Sequence, residues 1–316
     1  MCALRERALD ENEPEGIHDM RVASRRLRSA LRDFMPHLRK RRLAKSLKEI
    51  KSIADALGEV RDQEVAIAAL DKLAGKAPSE VVPGIHQLIE IRRAKRLAGH
   101  EKLIPFLDEV CLTQLRSNFM PALEAAAGRA RKKVEATARS AASLTYREVA
   151  RGAILERLKE LEKLSGSLYH PLKVKPLHKM RIAAKRLRYA LELFEKCWGR
   201  QLALFSRRTA ELQSSLGDLH DCDVWIVEFG DDLGAKSSGA RGPVDSERGV
   251  ASIWLLDHFV KLRSKHLRRA IARWRDWELK DRSEHLRSIV QSDGPSTAKS
   301  PSRIARKGQR SSPRQR

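Results

Sequence analysis

The 316-residue chain carries 64 Lys and Arg against 41 Asp and Glu, a net charge of +23, and 41% of its residues are apolar. The apolar share is enough for a packed core, and the positive field favours nucleic acid, anionic lipid or polyphosphate as partner while working against cationic ones. No apolar run approaches the roughly 20 residues needed to cross a bilayer, no signal-peptide pattern opens the chain, and Cys2, Cys111, Cys197 and Cys222 form neither a C-x-x-C pair nor a disulfide framework. A soluble chain in a reducing cytoplasm is expected. Five Trp, three Tyr and seven Phe are too few to anchor amphipathic helices on a membrane surface.

Apolar residues recur at spacings of three and four, and alternating β-branched runs are lacking, so the expected class is all-α. In chain order, helices are predicted near 17–35, 39–57, 63–74, 80–109, 113–139, 143–164, 177–197, 200–216, 222–233 and 248–289. Gly230 to Gly249 reads as a loop rich in Gly, Ser and Asp. The final stretch, 291–316, holds Lys299, Arg303, Arg306, Lys307, Arg310, Arg314 and Arg316 against Asp293, with little to bury, and is expected to be a disordered basic tail.

An internal repeat organises the rest. IHDMRVASRRLRSALRDF at Ile17 to Phe34 returns as LHKMRIAAKRLRYALELF at Leu177 to Phe194, an offset of 160. LGEVRDQEV at Leu57 to Val65 returns as LGDLHDCDV at Leu216 to Val224 at nearly the same offset. Two related helical units follow, 1–140 with signature helix 17–35 and 141–290 with signature helix 177–197.

At 100° per residue, Met20, Ala23, Leu27, Ala30, Leu31 and Phe34 share one helix face, the core side. Nearly opposite, within about 80° of arc, lie His18, Arg21, Arg25, Arg28 and Arg32. The second copy repeats the row with His178, Arg181, Lys185 and Arg188, and Glu192 replaces its fifth cation. A solvated face interleaves acids with bases, because like charges at i, i+4 repel by a few tenths of a kcal/mol. A row of bases without acids is a strained arrangement that a bound anion relieves. Arginine suits phosphate through its planar fork of donors, and a histidine in the first turn adds a donor where the helix dipole already favours an anion.

Gly58 and Gly217 are expected to end a helix in each unit, with Asp62 and Asp221 capping the next. Arg61 and His220 are candidate additions to the basic surface. Arg93 and Arg96, and the basic run Lys261, Arg263, Lys265, Arg268 and Arg269, are further candidates on the fourth helix of each unit. His220-Asp221 also has the form of a metal-binding dyad, but Arg61-Asp62 stands at the matching place in the first unit, where arginine cannot ligate a metal. No catalytic residue, metal ligand or cofactor is therefore expected.

The repeated H-x-x-R-x-x-x-[RK]-R-x-R helix, followed by LGxxxD, resembles the CHAD family, the conserved histidine α-helical domain, over roughly residues 10 to 290. The resemblance implies two four-helix bundles related by a pseudo-twofold, joined by long helices and facing each other across a basic central cavity. It implies non-catalytic binding of inorganic polyphosphate, with targeting to polyphosphate granules, through His18, Arg21, Arg25, Arg28, His178, Arg181, Lys185 and Arg188. Many relatives carry a triphosphate tunnel domain of the CYTH type marked by an ExExK strand. The nearest string here, Glu160-Leu161-Glu162-Lys163, has the wrong spacing and lies in a helical pattern, so a stand-alone copy is expected. The alternative is a basic helical nucleic-acid binder, which lacks aromatic stacking platforms beside the rows.

Overall fold

In the computed structural model the described residues are 1–10, 13–136, 145–235 and 246–292, and among them every regular element is helical. The α-helices are α1 (Arg5–Leu9), α2 (Pro14–Phe34), α3 (Lys40–Ala74), α4 (Val82–Leu103), α5 (Glu109–Ala136), α6 (Tyr146–Leu164), α7 (Val174–Leu193), α8 (Glu195–Trp198), α9 (Arg200–Ala235), α10 (Glu247–Leu279) and α11 (Arg282–Gln291). No described helix is long and apolar enough to cross a membrane. The division expected at 140/141 and the tail from residue 293 lie outside the described residues.

Local chemistry explains several starts and stops. Pro14 opens α2, where its fixed φ suits the first turn and no N–H is missed. A capping box opens α6, with the Thr145 hydroxyl accepting from the Glu148 N–H and the Glu148 carboxylate accepting from the Thr145 N–H. Ser246 caps α10 through the Gly249 N–H. The helix expected over 248–289 is divided, because Lys280 and Asp281 turn the chain and Asp281 adopts a left-handed φ of 44°.

The largest correction concerns the two LGxxxD segments. Neither breaks its helix: α3 runs unbroken for 35 residues through Gly58, and α9 for 36 through Gly217. Asp62 and Asp221 therefore sit inside helices and cap nothing. The Gly230–Ala235 part of the expected loop is also helical. These helices are about 52 Å long, long enough to serve two cores in succession. Leu57 and Val60 of α3 enter a cluster with Met20, Leu31, Leu103 and Leu115, whereas Leu70 enters another with Ile85, Cys222, Phe229, Leu255 and Phe259. On α9, Leu212 and Leu216 join a third cluster with Leu158, Leu187, Phe194 and Trp274, before Cys222 and Phe229 join the shared one. Long apolar contacts along both flanks of each helix outweigh the roughly 1 kcal/mol that an interior glycine costs.

α2 and α4 each pack on a helix from the later part of the chain. In the shared cluster α4 packs closely on α10, and a Cβ placed on Gly84 would lie 2.0 Å from the Glu247 carbonyl oxygen, so only glycine fits there. At the other meeting, α2 packs on α7. There Phe34 lies 5.7 Å, edge-on, from Phe194 and 6.2 Å from Tyr146. Nearby, Arg157 of α6 pairs at 3.2 Å with the buried Asp33 of α2.

Candidate anion-binding site

The helix pairing brings cations of both signature helices to one junction. Lys185 is the most informative. Burial, followed by the charges of Arg181, Arg25, Arg32 and Arg186, lowers its ammonium from 10.5 to about 8. Two of those arginines lie on α2 and two on α7, so the rows converge. Burial also holds Arg25 below the ordinary guanidinium range, with Arg21, Arg188 and Arg26 adding repulsion. Arg32 is lowered first by burial and then by Arg186. The guanidinium of Arg25 lies 5.6 Å from the Tyr189 ring centroid, and that of Arg188 lies 4.9 Å from it. The buried Nε atom of Arg25 has no hydrogen-bond partner among the described residues.

The rows are not free of acids, which corrects one expectation. Arg21 pairs with Asp62 at 2.9 Å, Arg28 approaches Asp55 at 3.9 Å, and Arg188 pairs with Glu192 at 3.2 Å. Asp55 and Asp62 come from α3, so the acid missing from the α2 row is supplied by the neighbouring helix. Among the described residues, no such ion pair engages Arg25, Arg32, Arg181 or Lys185.

The glycines of the LGxxxD segments lie close to the rows. A Cβ on Gly58 would sit 3.9 Å from Arg21 Nε, and one on Gly217 would sit 3.8 Å from Arg181 Nε. Each signature helix thus lays its first arginine close to a glycine of a long helix, α3 or α9. The aspartate four residues later reaches the same arginine in the first unit. In the second, burial raises the Asp221 carboxyl while Arg181, the largest opposing influence, lowers it.

The two histidines diverge. His18 shares its surroundings with Glu15 and Asp19, whose nearest ligand atoms all lie within 4.8 Å of one another, and Asp19 is engaged by Arg7 at 2.9 Å. His178 instead faces His220, with their Nδ1 atoms 3.3 Å apart. Arg93 and Arg96 are not brought to the junction. They line a groove of about 550 Å³ between α3 and α4, beside Glu64, Asp71 and Glu90, and Arg93 pairs with Glu90 at 2.7 Å. On α10, Arg263 pairs with Asp223 at 2.5 Å and Lys261 with Asp257 at 2.6 Å. A cleft of about 340 Å³ between α2 and α7 is lined by Arg26, Ser29, Ala30, Tyr189, Glu192 and Leu193, none of them an expected anion ligand.

Sequence reasoning missed Arg186 and Asp55, and it gave Asp62, Gly58 and Gly217 a helix-end role in place of a position beside the rows. A signal existed for the last three, because the glycine and aspartate keep one helical spacing in both copies.

Helices alone, with like-charged residues of two similar helices gathered at their junction, define an all-α protein with a concentrated basic face. The CHAD domain family matches residues 1–229, and the chain belongs to that family. The crystal structure of the CHAD domain from the plant Ricinus communis has the same fold, with a TM-score of 0.60 and 22% identity over 85% of this chain and 84% of that one. A search of curated proteins found no match.

Proposed function

We propose that this chain binds inorganic polyphosphate, without catalysis, along the α2–α7 junction. The observation that carries the reading is the group Arg25, Arg32, Arg181 and Lys185. Four cations from both signature helices are half-buried together, and burial or mutual repulsion works against the charge of Arg25, Arg32 and Lys185. A chain of phosphates supplies one negative charge per unit at short, regular spacing and answers that repulsion along its length. His18, Arg21, Arg28, His178 and Arg188 flank the group, and Arg93 and Arg96 are left out of the site by their acidic groove.

The paired-bundle architecture belongs to the same proposal. Phe34 packs on Phe194, its own counterpart in the repeat, and Arg25 acts on its counterpart Lys185. Contacts between equivalent residues are what a twofold axis produces. They support two units of about 1–140 and 141–290 that meet around a pseudo-twofold, with the polyphosphate path along the axis and residence at polyphosphate granules in the cytoplasm.

Titration of the purified chain with long-chain polyphosphate tests the reading. Tight binding at low salt that weakens linearly on a log–log salt plot is expected, and absence of binding at moderate salt refutes it. Replacing Arg25, Arg32, Arg181 and Lys185 together with Gln should flatten that slope by about 3, the change expected when four cations no longer meet phosphates on a single-stranded polyanion. Competition separates the nucleic-acid alternative: RNA or DNA bound to the chain should be released by polyphosphate at equal phosphate concentration. Tyr189, the aromatic that lies beside the arginines, is 7% exposed and covered by two of them, which gives bases no platform at the cation group itself.

A further inference from the structure

The two units differ in kind at His178 and His220. His178 lies on α7 one turn before Arg181, and His220 lies on α9 three residues after Gly217, the glycine beneath Arg181. Their Nδ1 atoms are 3.3 Å apart, with ring centroids 4.3 Å apart and planes at 53°. At the corresponding places the first unit has His18, amid Glu15 and Asp19, and Arg61, committed to Glu64 at 2.9 Å. We propose that the His178–His220 pair is an additional phosphate contact that takes up a proton when it engages the polyanion. The proposal rests on the polyphosphate reading and adds to it a titrating end of the site.

The hydrogen-bond chemistry of the pair follows from its geometry. Two facing Nδ1 atoms share one proton, so one ring donates and the other accepts. The accepting ring must carry its own proton on Nε2, and the donating ring has a bare Nε2 lone pair. A solvent proton added to that lone pair gives the pair an N–H donor on the far edge of each ring. Two such donors with one positive charge match two oxygens of a phosphate chain. When the ligand leaves, the proton returns to solvent.

The surroundings keep the free pair neutral. Burial first, and then Arg181 and His178, lower His220 to about 4, while burial, Arg181 and Lys185 lower His178. The charges that act on the rings are Arg181 and Lys185 of α7, and each ring's other neighbour is its partner imidazole. Among the described residues, no charge from α2, α6 or α10 acts on either. Bound phosphate reverses the sign of the local field and favours imidazolium. The bound-state value then exceeds the free one, so affinity rises as pH falls through the interval between them, by at most about tenfold per pH unit for one proton.

A metal ion is the competing occupant, because two imidazoles on a tetrahedral zinc also place their nitrogens about 3.3 Å apart. It finds no third ligand. Among the described residues, the only His, Cys, Asp and Glu group close enough to share an ion is Glu15, His18 and Asp19, and Arg181 and Lys185 repel a cation at the pair.

Calorimetry of the full chain with long-chain polyphosphate near pH 6, repeated in buffers of different ionisation heat, decides the matter. Lys185 is already protonated there, and subtracting the His220→Gln variant cancels any titration of the ligand itself. Net uptake approaching one proton is expected in the parent, and clearly less in His220→Gln, where the pair is broken. His220→Arg, which copies the first unit, should bind with an affinity that follows pH between about 5 and 7 less steeply than the parent's. Binding by the parent with no proton uptake, or with equal uptake in His220→Gln, overturns the histidine proposal and leaves the polyphosphate reading standing. A parent that binds nothing at any pH removes both. Loss of the pH effect on adding a chelator assigns the pair to a metal and overturns the proposal as well.

Discussion

Lys185 offers a test that needs no ligand. Its ammonium titrates at about 8 in the fold instead of 10.5, so at pH 7 the charged side chain weakens the native state by at most about 3 kcal/mol. Water reaching its tip reduces that to about 1–2 kcal/mol. Lys185→Met keeps the length of the side chain and removes the charge, so the variant should be more stable than the parent by this amount, raising Tm by roughly 2–6 °C. The sign with pH is fixed by linkage. The folded-state value lies below the unfolded one, so between about 8 and 10.5 the unfolded chain holds the extra proton, and the parent gains stability as pH rises through that window. The penalty is complete below about 8 and gone above 10.5. Urea denaturation of both proteins at pH 7 and near pH 10.5 should therefore show a clear gap at the lower pH and almost none at the higher. A variant that is less stable at pH 7, or a gap indifferent to pH, refutes the idea that unrelieved charge is held at the junction.

Asp62→Asn frees Arg21 from its 2.9 Å partner. Because the aspartate is largely exposed, stability should change by less than about 1 kcal/mol, while polyphosphate affinity measured by titration at low salt should rise several-fold. Gly84→Ala forces a methyl group to within 2.0 Å of the Glu247 carbonyl oxygen, which no side-chain rotation can relieve. It should lower stability by about 1–3 kcal/mol in urea denaturation, and the backbone amides where α4 faces α10 should be the first to show faster hydrogen exchange.

The helical class and the two signature helices are legible in the sequence because periodicity is a local property. His18, Arg21, Arg25, Arg28 and Arg32 occupy one arc whatever surrounds them. The partners of those residues are not local. Asp55 and Asp62 stand on α3, and nothing in the α2 pattern says that α3 will turn them towards Arg28 and Arg21. The glycines misled for a related reason. Gly58 and Gly217 carry the composition of a helix end, but both lie inside long helices, each close to an arginine of another helix. Tertiary packing overrides local propensity there, and Asp62 becomes an ion-pair partner where propensity alone makes it a cap. The split of the last long helix was illegible for the opposite reason, since Lys280 and Asp281 are ordinary helix residues and only the positive φ at Asp281 marks the turn.

Pairing also decides where along the junction an anion gains most. Arg21, Arg28 and Arg188 already have carboxylates within 4.0 Å, and a phosphate that displaces one of these acids exchanges one ion pair for another. Arg25, Arg32, Arg181 and Lys185 have no such partner to give up among the described residues, and burial has already removed part of the water that would compete. A charge arriving among them gains Coulomb energy in a medium of lower dielectric, and the desolvation it would normally require is partly done in the free fold. On the polyphosphate reading proposed above, the affinity is concentrated where the two signature helices touch. On that reading both signature helices are required, because either copy alone would present its cations to water, where salt screens them and a phosphate contact contributes little.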